Sequence, residues 1–404
     1  MDFETSEELK MVQELVRGFV AEQLKPLERS LLGRAADLSD AVMYLPWEKE
    51  QELIGMVKEM GLWGVNVPEE LGGIGLDTLG NCLVEEELAQ TIVPFSFGDV
   101  TPLLFECNEK QKETYFSPVF NQEKYPYLAL MEPGKASLAA MEMKAEKADG
   151  YYILNGRKAS FSRIGEDYFA IVFATNCLSP DKGRGKAGLL TASGEAREGV
   201  TCFLVNKDAP GFTVNEAEQM TGWETRVRRP IYLNFEHCQV PAENILGEEE
   251  KAFSLAKKWL PSRRIVKSAR CVGVGQRILD ECTIQAQTWT SFGEVISGKP
   301  SIQSALGDIG TNIHAARLMV YEAAWKADQG KPIKRESAMV KLFATQMIHF
   351  AVDNAAHIFG APPYVAGLPM ENFCRDALAM SATDFALQLQ RNIVAKDILK
   401  GLKI

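Results

Sequence analysis

Three changes of pattern along the 404 residues predict an α+β fold that is mostly α. The first part repeats apolar residues at helical spacing. The middle switches to short β-type runs separated by Gly-containing turn signals, and the last part returns to long helical periodicity. The expected organisation is an N-terminal helical domain over 1–125, a β domain over 126–240 and a C-terminal helical domain over 241–404.

The elements follow in order. Val12, Leu15, Val16, Phe19 and Val20 lie three or four residues apart, the stripe of an amphipathic helix. Pro26 reads as its stop, because proline lacks the N–H that a continuing helix needs. After the Gly-rich turn around Val67–Gly73, a helix is expected through Cys82–Leu88, with the run Glu85-Glu86-Glu87 read as a solvated face. Asp149-Gly150 and Asn155-Gly156 are hairpin signals beside the expected strands Tyr151–Leu154 and Phe169–Phe173. Thr201–Val205 and Ile231–Phe235 read as further strands, the latter alternating apolar Ile231, Leu233 and Phe235 with Tyr232 and Asn234. Ser179–Gly199, rich in Gly, Lys, Ser and Glu, reads as a surface loop. Helices resume near Phe253. Ile302, Leu306, Ile309, Ile313, Val320 and Ala324 step around one face, interrupted by Arg317, and further helices cover Lys341–Phe359 and Phe385–Leu399.

Composition narrows the function. A hydrophobic share of 46% with 24% charged residues is that of a globular chain. The net charge of −10 disfavours general binding of nucleic acid or anionic lipid, since like charges repel. Eight cysteines without a CxxC pair read as reduced, mostly buried thiols, and the four histidines show no metal-ligand spacing beside them. No apolar run is long enough to span a bilayer and no signal segment opens the chain, so a cytoplasmic protein without a metal is expected.

Five segments carry a more specific message: Gly64–Leu76 (GVNVPEELGGIGL), Leu130–Ser137 (LMEPGKAS), Leu154–Lys158 (LNGRK), Phe235–Gly247 (FEHCQVPAENILG) and Arg375–Ala395. In this order and spacing the chain resembles the acyl-CoA dehydrogenase family over nearly its whole length. The resemblance implies an N-terminal helical domain, a middle β-barrel and a C-terminal four-helix bundle. It also implies FAD as cofactor, held between the β domain and the bundle with a neighbouring subunit at the adenine end. The implied reaction is α,β-dehydrogenation of an acyl-CoA thioester: a carboxylate takes the α-proton and a hydride leaves the β-carbon for flavin N5. A tetramer and electron-transferring flavoprotein as acceptor belong to the same expectation. The chemistry is coherent, because an α-C–H beside a thioester is a weak acid whose removal needs a placed base.

Carried over along Arg375-Asp376 and Gln390-Arg391, the family's base falls on Asp384. An aspartate before a helix also suits an N-cap, and both roles are compatible. Aspartate is one methylene shorter than the family's glutamate, a retreat of roughly 1.5 Å. Phe385 stands where the family has glycine, next to the thioester carbonyl. Arg263 occupies the position from which some branches present their base. It reads as a surface arginine, a partner of Asp384, or a site for a second carboxylate on the acyl chain. Arg264 aligns with the family's CoA-segment arginine, and Ser137 with its substrate serine. Asp99, beside Gly98, reads as turn chemistry or as a second pocket acid.

For the flavin, Met131-Glu132-Pro133 replaces the family's Thr-Glu-Pro, and Ser160-Phe161-Ser162 replaces Trp-Ile-Thr, leaving Ser162 with a hydroxyl for N5. Ser160 and Ser162 also read as strand-surface residues. Phe292, Gly360 and Gln388 keep positions near the cofactor, while Trp289 replaces an arginine, and Pro300 and His357 replace glutamines. These losses open two alternatives to a dehydrogenase that binds its own FAD. One is a flavin-poor subunit of a heterotetramer with a paralogue, rather than a homotetramer. The other is a flavin oxidase or reductase acting on a non-CoA substrate.

Overall fold

The computed structural model describes residues 5–35, 45–135, 141–163, 165–176, 199–216, 229–365, 367–382 and 387–401. The chain forms two compact units, one built mainly from Met1–Phe97 and Leu260–Ile404, the other from Gly98–Met220 and Val227–Trp259.

The first unit is helical. Helix α1 (Glu7–Phe19) starts at Ser6, whose hydroxyl accepts the Leu9 N–H at 3.3 Å. It buries Val12, Val16 and Phe19, while Leu15 faces outward. Pro26 does not stop the helical path. It sits in a tight turn, Lys25–Leu27, between a wide turn over Val20–Leu24 and helix α2 (Glu28–Ala35), where a first-turn proline costs no hydrogen bond. Helix α3 (Trp47–Glu59) and helix α4 (Thr78–Leu88) follow, α4 capped by Asp77 accepting from Gly80 N at 2.7 Å. The C-terminal part contributes the long α5 (Ala252–Thr288), a short hairpin β8–β9 (Thr290–Ser291, Glu294–Val295), α6 (Pro300–Asp328), α7 (Lys334–Phe359), α8 (Pro369–Ala382) and α9 (Leu387–Leu399). On α6 the expected stripe buries Ile309, Ile313, Val320 and Ala324.

The acidic run of α4 corrects the sequence reading. Successive helical residues point about 100° apart, so three in a row cannot share one face. Glu85 pairs with Arg270 (3.0 Å), Glu86 with Arg317 (2.8 Å) and Glu87 with Arg17 (2.7 Å). Glu86 and Glu87 are buried. α4 is therefore gripped from three sides by arginines of α5, α6 and α1 instead of facing water. Burial raises the Glu86 carboxyl pKa, against the opposing pull of Arg317 and of the Tyr321 hydroxyl at 3.0 Å.

The second unit is a seven-stranded sheet: β1 (Tyr125–Ala129), β2 (Lys144–Lys147), β3 (Tyr151–Ser162), β4 (Tyr168–Thr175), β5 (Val200–Asn206), β6 (Phe212–Glu216) and β7 (Arg229–Pro241). The strand order is β1-β4-β2-β3-β7-β6, with β5 on β4. One apolar cluster draws side chains from all seven, including Tyr127, Ala145, Leu154, Val172, Phe203, Phe212 and Phe235, and forms the core of the unit. Asp149-Gly150 makes the expected turn between β2 and β3, with Gly150 at φ 76°. Asn155-Gly156 does not turn the chain. It lies inside β3 where the β3–β7 register shifts, and Asn155 Oδ1 accepts the His237 N–H at 2.8 Å from the bulged strand. Gly156 is needed there because a Cβ would meet Met143 Cα at 3.1 Å. The stretch 179–198 lies outside the described residues.

All seven described cysteines are free and six are buried, so no described covalent bridge supports either unit. No described helix is long and apolar enough to cross a membrane.

Candidate active site

In the second unit the site begins on one face of β3. Strand periodicity places every second residue on the same side, and Lys158, Ser160 and Ser162 are all buried. The two hydroxyls meet, with Ser160 Oγ 3.1 Å from Ser162 Oγ. This burial excludes the reading of both serines as strand-surface residues. Beside them, Ala159 N donates to Met131 O at 2.9 Å, tying the Met131 backbone to β3.

Lys158, which sequence reasoning passed over, organises the approach to this face. Its ammonium donates to Leu130 O at 3.2 Å and to Glu132 Oε1 at 3.1 Å. The Glu132 carboxylate also accepts the backbone N–H groups of Glu142 and Met143, each at 2.9 Å. One carboxylate thus fastens both ends of the chain between 131 and 143 to the strand beneath. Burial pushes the Lys158 ammonium down to about 8, although Glu132 pulls the other way. The available signal was the register itself, a lysine two and four residues before two hydroxyls on a strand. Ser137 lies outside the described residues. Asp99 is exposed and follows left-handed Gly98 (φ 79°).

In the first unit, α5 places Arg263 half-buried and Arg264 buried, and Ser268 Oγ donates to Arg264 O at 2.7 Å. Phe292 caps the β8–β9 hairpin almost fully exposed, at 99%. Gly360 ends α7 with φ 75°, and the space where a side chain would project is open to at least 4 Å. Gln388 is exposed on the first turn of α9. Two residues on, Gln390 is fully buried and neither of its amide atoms has a partner among the described residues. Asp384 and Phe385 lie outside the described residues.

The helix that leads to Asp384 is held at its carboxyl end. Lys341 of α7, 1% exposed, donates to Met380 O at 2.6 Å. His349 Nε2 lies 2.8 Å from Ala377 O and 2.8 Å from Ser381 Oγ. A lysine inside the apolar run Ala338–Ala344 was the sequence sign of this anchor.

Comparison with known proteins decides the family. Residues 6–123 match the acyl-CoA dehydrogenase N-terminal domain and residues 251–399 the acyl-CoA dehydrogenase C-terminal domain. The chain is similar to the mitochondrial short-chain specific acyl-CoA dehydrogenase of Rattus norvegicus, 30% identical over 408 residues that cover 99% of this chain and 92% of that protein. The chain belongs to the acyl-CoA dehydrogenase family. It is also similar to (R)-benzylsuccinyl-CoA dehydrogenase of Thauera aromatica, 29% identical over 99% of this chain and 97% of that protein. Among solved structures, butyryl-CoA dehydrogenase from Megasphaera elsdenii superposes with a TM-score of 0.81 at 27% identity, covering 99% of this chain and all of that one. This acyl-CoA dehydrogenase is accordingly an FAD-dependent oxidoreductase acting on CH–CH donors. Active dehydrogenases matched along the full length do not favour the alternatives of a flavin-poor subunit or a non-CoA oxidase.

The residues of the β3 face fit the flavin. Two buried hydroxyls stand side by side with a pinned backbone carbonyl next to them, a set of donors and acceptors suited to a polar ring edge.

Proposed function

We propose that this acyl-CoA dehydrogenase uses Asp384 as the base that removes the α-proton of a compact acyl-CoA thioester. The observation that supports this is the spacing from Arg375-Asp376 to Gln390-Arg391, which sets Asp384 at the position of the family's base within the span similar to the acyl-CoA dehydrogenase C-terminal domain. The α-C–H bond breaks, its proton passes to an Asp384 Oδ, and its electron pair moves into the forming α,β double bond. When bound, FAD supplies the acceptor for the hydrogen and electron pair that leave the β-carbon. Ser160 and Ser162, with the backbone at Met131, would hold the ring. Ser137, Arg264 and Phe385 would meet the thioester and its CoA, and Phe292, Gly360 and Gln388 would serve the far end of the cofactor.

The shorter aspartate demands an α-carbon about 1.5 Å nearer the backbone, since a misplacement of about 1 Å can cost around a hundredfold in rate. A compact or branched acyl group fits that demand. Arg263 adds a place for a second carboxylate on the acyl chain, a reading favoured by the similarity to a dehydrogenase of benzylsuccinyl-CoA. The working assembly is a homotetramer that passes electrons to electron-transferring flavoprotein.

The test is turnover of butyryl-CoA, isobutyryl-CoA and benzylsuccinyl-CoA by the purified enzyme with an artificial electron acceptor. Asp384→Asn should lower kcat by about a thousandfold while thioester affinity stays within a few fold, because general-base removal typically costs 10²–10⁴. An Asp384→Asn enzyme with wild-type kcat would remove this residue from the chemistry.

A further inference from the structure

We propose that Lys341 and His349 are positioning residues for proton abstraction, because they clamp the last turn of α8 from which Asp384 follows. The inference rests on the reading of Asp384 as the base.

The last four carbonyls of a helix have no partner within it, and in α8 (Pro369–Ala382) Met380 supplies one of them. Lys341 Nζ takes it at 2.6 Å from a site closed to water. Burying an ammonium costs several kcal/mol after relaxation, whereas a methionine would fill a similar space without that penalty. What the charge adds is a short, directional bond to a particular carbonyl. A second grip comes from His349, two helical turns along α7. Its Nε2 lies 2.8 Å from Ala377 O and from Ser381 Oγ, so the same nitrogen holds the turn by its backbone and by a side chain.

Sequence separation explains why this end of α8 matters. Asp384 follows Met380 by four residues and Ser381 by three, so the clamped turn is the last described anchor before it in the chain.

The step can be read apart from oxidation by using 3,3-dimethylbutyryl-CoA, which has α-hydrogens but no β-hydrogen. In D2O the base exchanges the α-protons for deuterium, measured by mass spectrometry on the full-length, flavin-loaded enzyme. Lys341→Met and His349→Leu should each slow exchange by about tenfold or more, the scale expected for a sub-ångström to 1 Å displacement. The Kd of this thioester and the flavin-to-chain ratio should stay within twofold. His349→Gln restores a donor at the Nε2 position and should recover most of the exchange rate. A purely structural role would lower binding and thermal stability together and would not respond to the glutamine. Should Lys341→Met fail to fold, the His349 pair carries the test. Wild-type exchange in both His349→Leu and Lys341→Met overturns the clamp while leaving Asp384 as base if Asp384→Asn is silent. Exchange that survives Asp384→Asn overturns both.

Discussion

Lys158 shows how one buried charge ties stability to the geometry of a site. Its ammonium is held between Leu130 O and Glu132, and burial lowers its pKa from the ordinary lysine value to about 8. Such a shift means that the unfolded chain binds more protons than the folded one between pH 8 and the unperturbed lysine pKa, so stability rises with pH across that window. Below pH 8 the desolvation penalty is present in full. The slope contributed by this one group is at most roughly 1.4 kcal/mol per pH unit. Lys158→Met should flatten the rise in unfolding free energy between pH 8 and 10, measured by urea denaturation of wild type and variant at matched pH. Equal slopes in the two proteins would show that Lys158 keeps its ordinary pKa. The substitution should also loosen the chain from 131 to 143, because Glu132 would lose its buried cation while still accepting from Glu142 and Met143.

At the scale of elements, the crossing of α4 and α5 is the tightest constraint in the helical unit. A Cβ at Gly273 would stand 2.0 Å from Glu86 O and 2.8 Å from Ala89 Cβ, so two backbones touch where only glycine fits. Gly273→Ala should destabilise the protein by about 2–4 kcal/mol, at or above the usual cost of overpacking, in chemical unfolding; a loss under about 0.5 kcal/mol, the scale of an ordinary surface substitution, would mean the helices separate freely. The same crossing shows what the sequence concealed. Helix periodicity placed α1, α4, α6 and α7 near their observed positions, because buried stripes leave a clear 3.6-residue signature. Glu85-Glu86-Glu87 defeated that reading, since its partners Arg270, Arg317 and Arg17 lie on three other helices and no local pattern links them. Asn155-Gly156 misled for a similar reason. The pair has turn chemistry, yet its use is set by a bulge against β7, far along the chain. Family motifs drew attention to the serines of β3 but not to Lys158, Lys341 or His349, because burial of a polar side chain is a property of the packed structure.

At the scale of the whole molecule, the β8–β9 hairpin presents an unusual surface. Trp289 is 58% exposed and Phe292 99% exposed, with Val295 and Ile284 also open to water. Phe292 and Gly293 both take left-handed backbone, at φ 57° and 83°, the conformation of a two-residue hairpin turn that ordinarily selects Asn-Gly. A phenylalanine there costs of order 1 kcal/mol in backbone strain and gains little in return on an isolated chain, since its ring meets only the Lys299 ammonium, 5.1 Å from the centroid, among the described ring contacts. Clustered exposed apolar side chains mark interaction surfaces, and the proposed homotetramer would supply the partner. Phe292→Asn separates the two costs. Asparagine tolerates the left-handed backbone, so the hairpin should become locally more stable, read as slower amide hydrogen exchange at residues 290–295. Assembly should weaken at the same time, with sedimentation velocity showing dissociation at protein concentrations about tenfold higher than for wild type, an interface loss near 1.4 kcal/mol. The flavin-to-chain ratio should fall with it. A tetramer of unchanged strength that keeps all its flavin would place the subunit contact elsewhere on the molecule and leave the strained phenylalanine without a role.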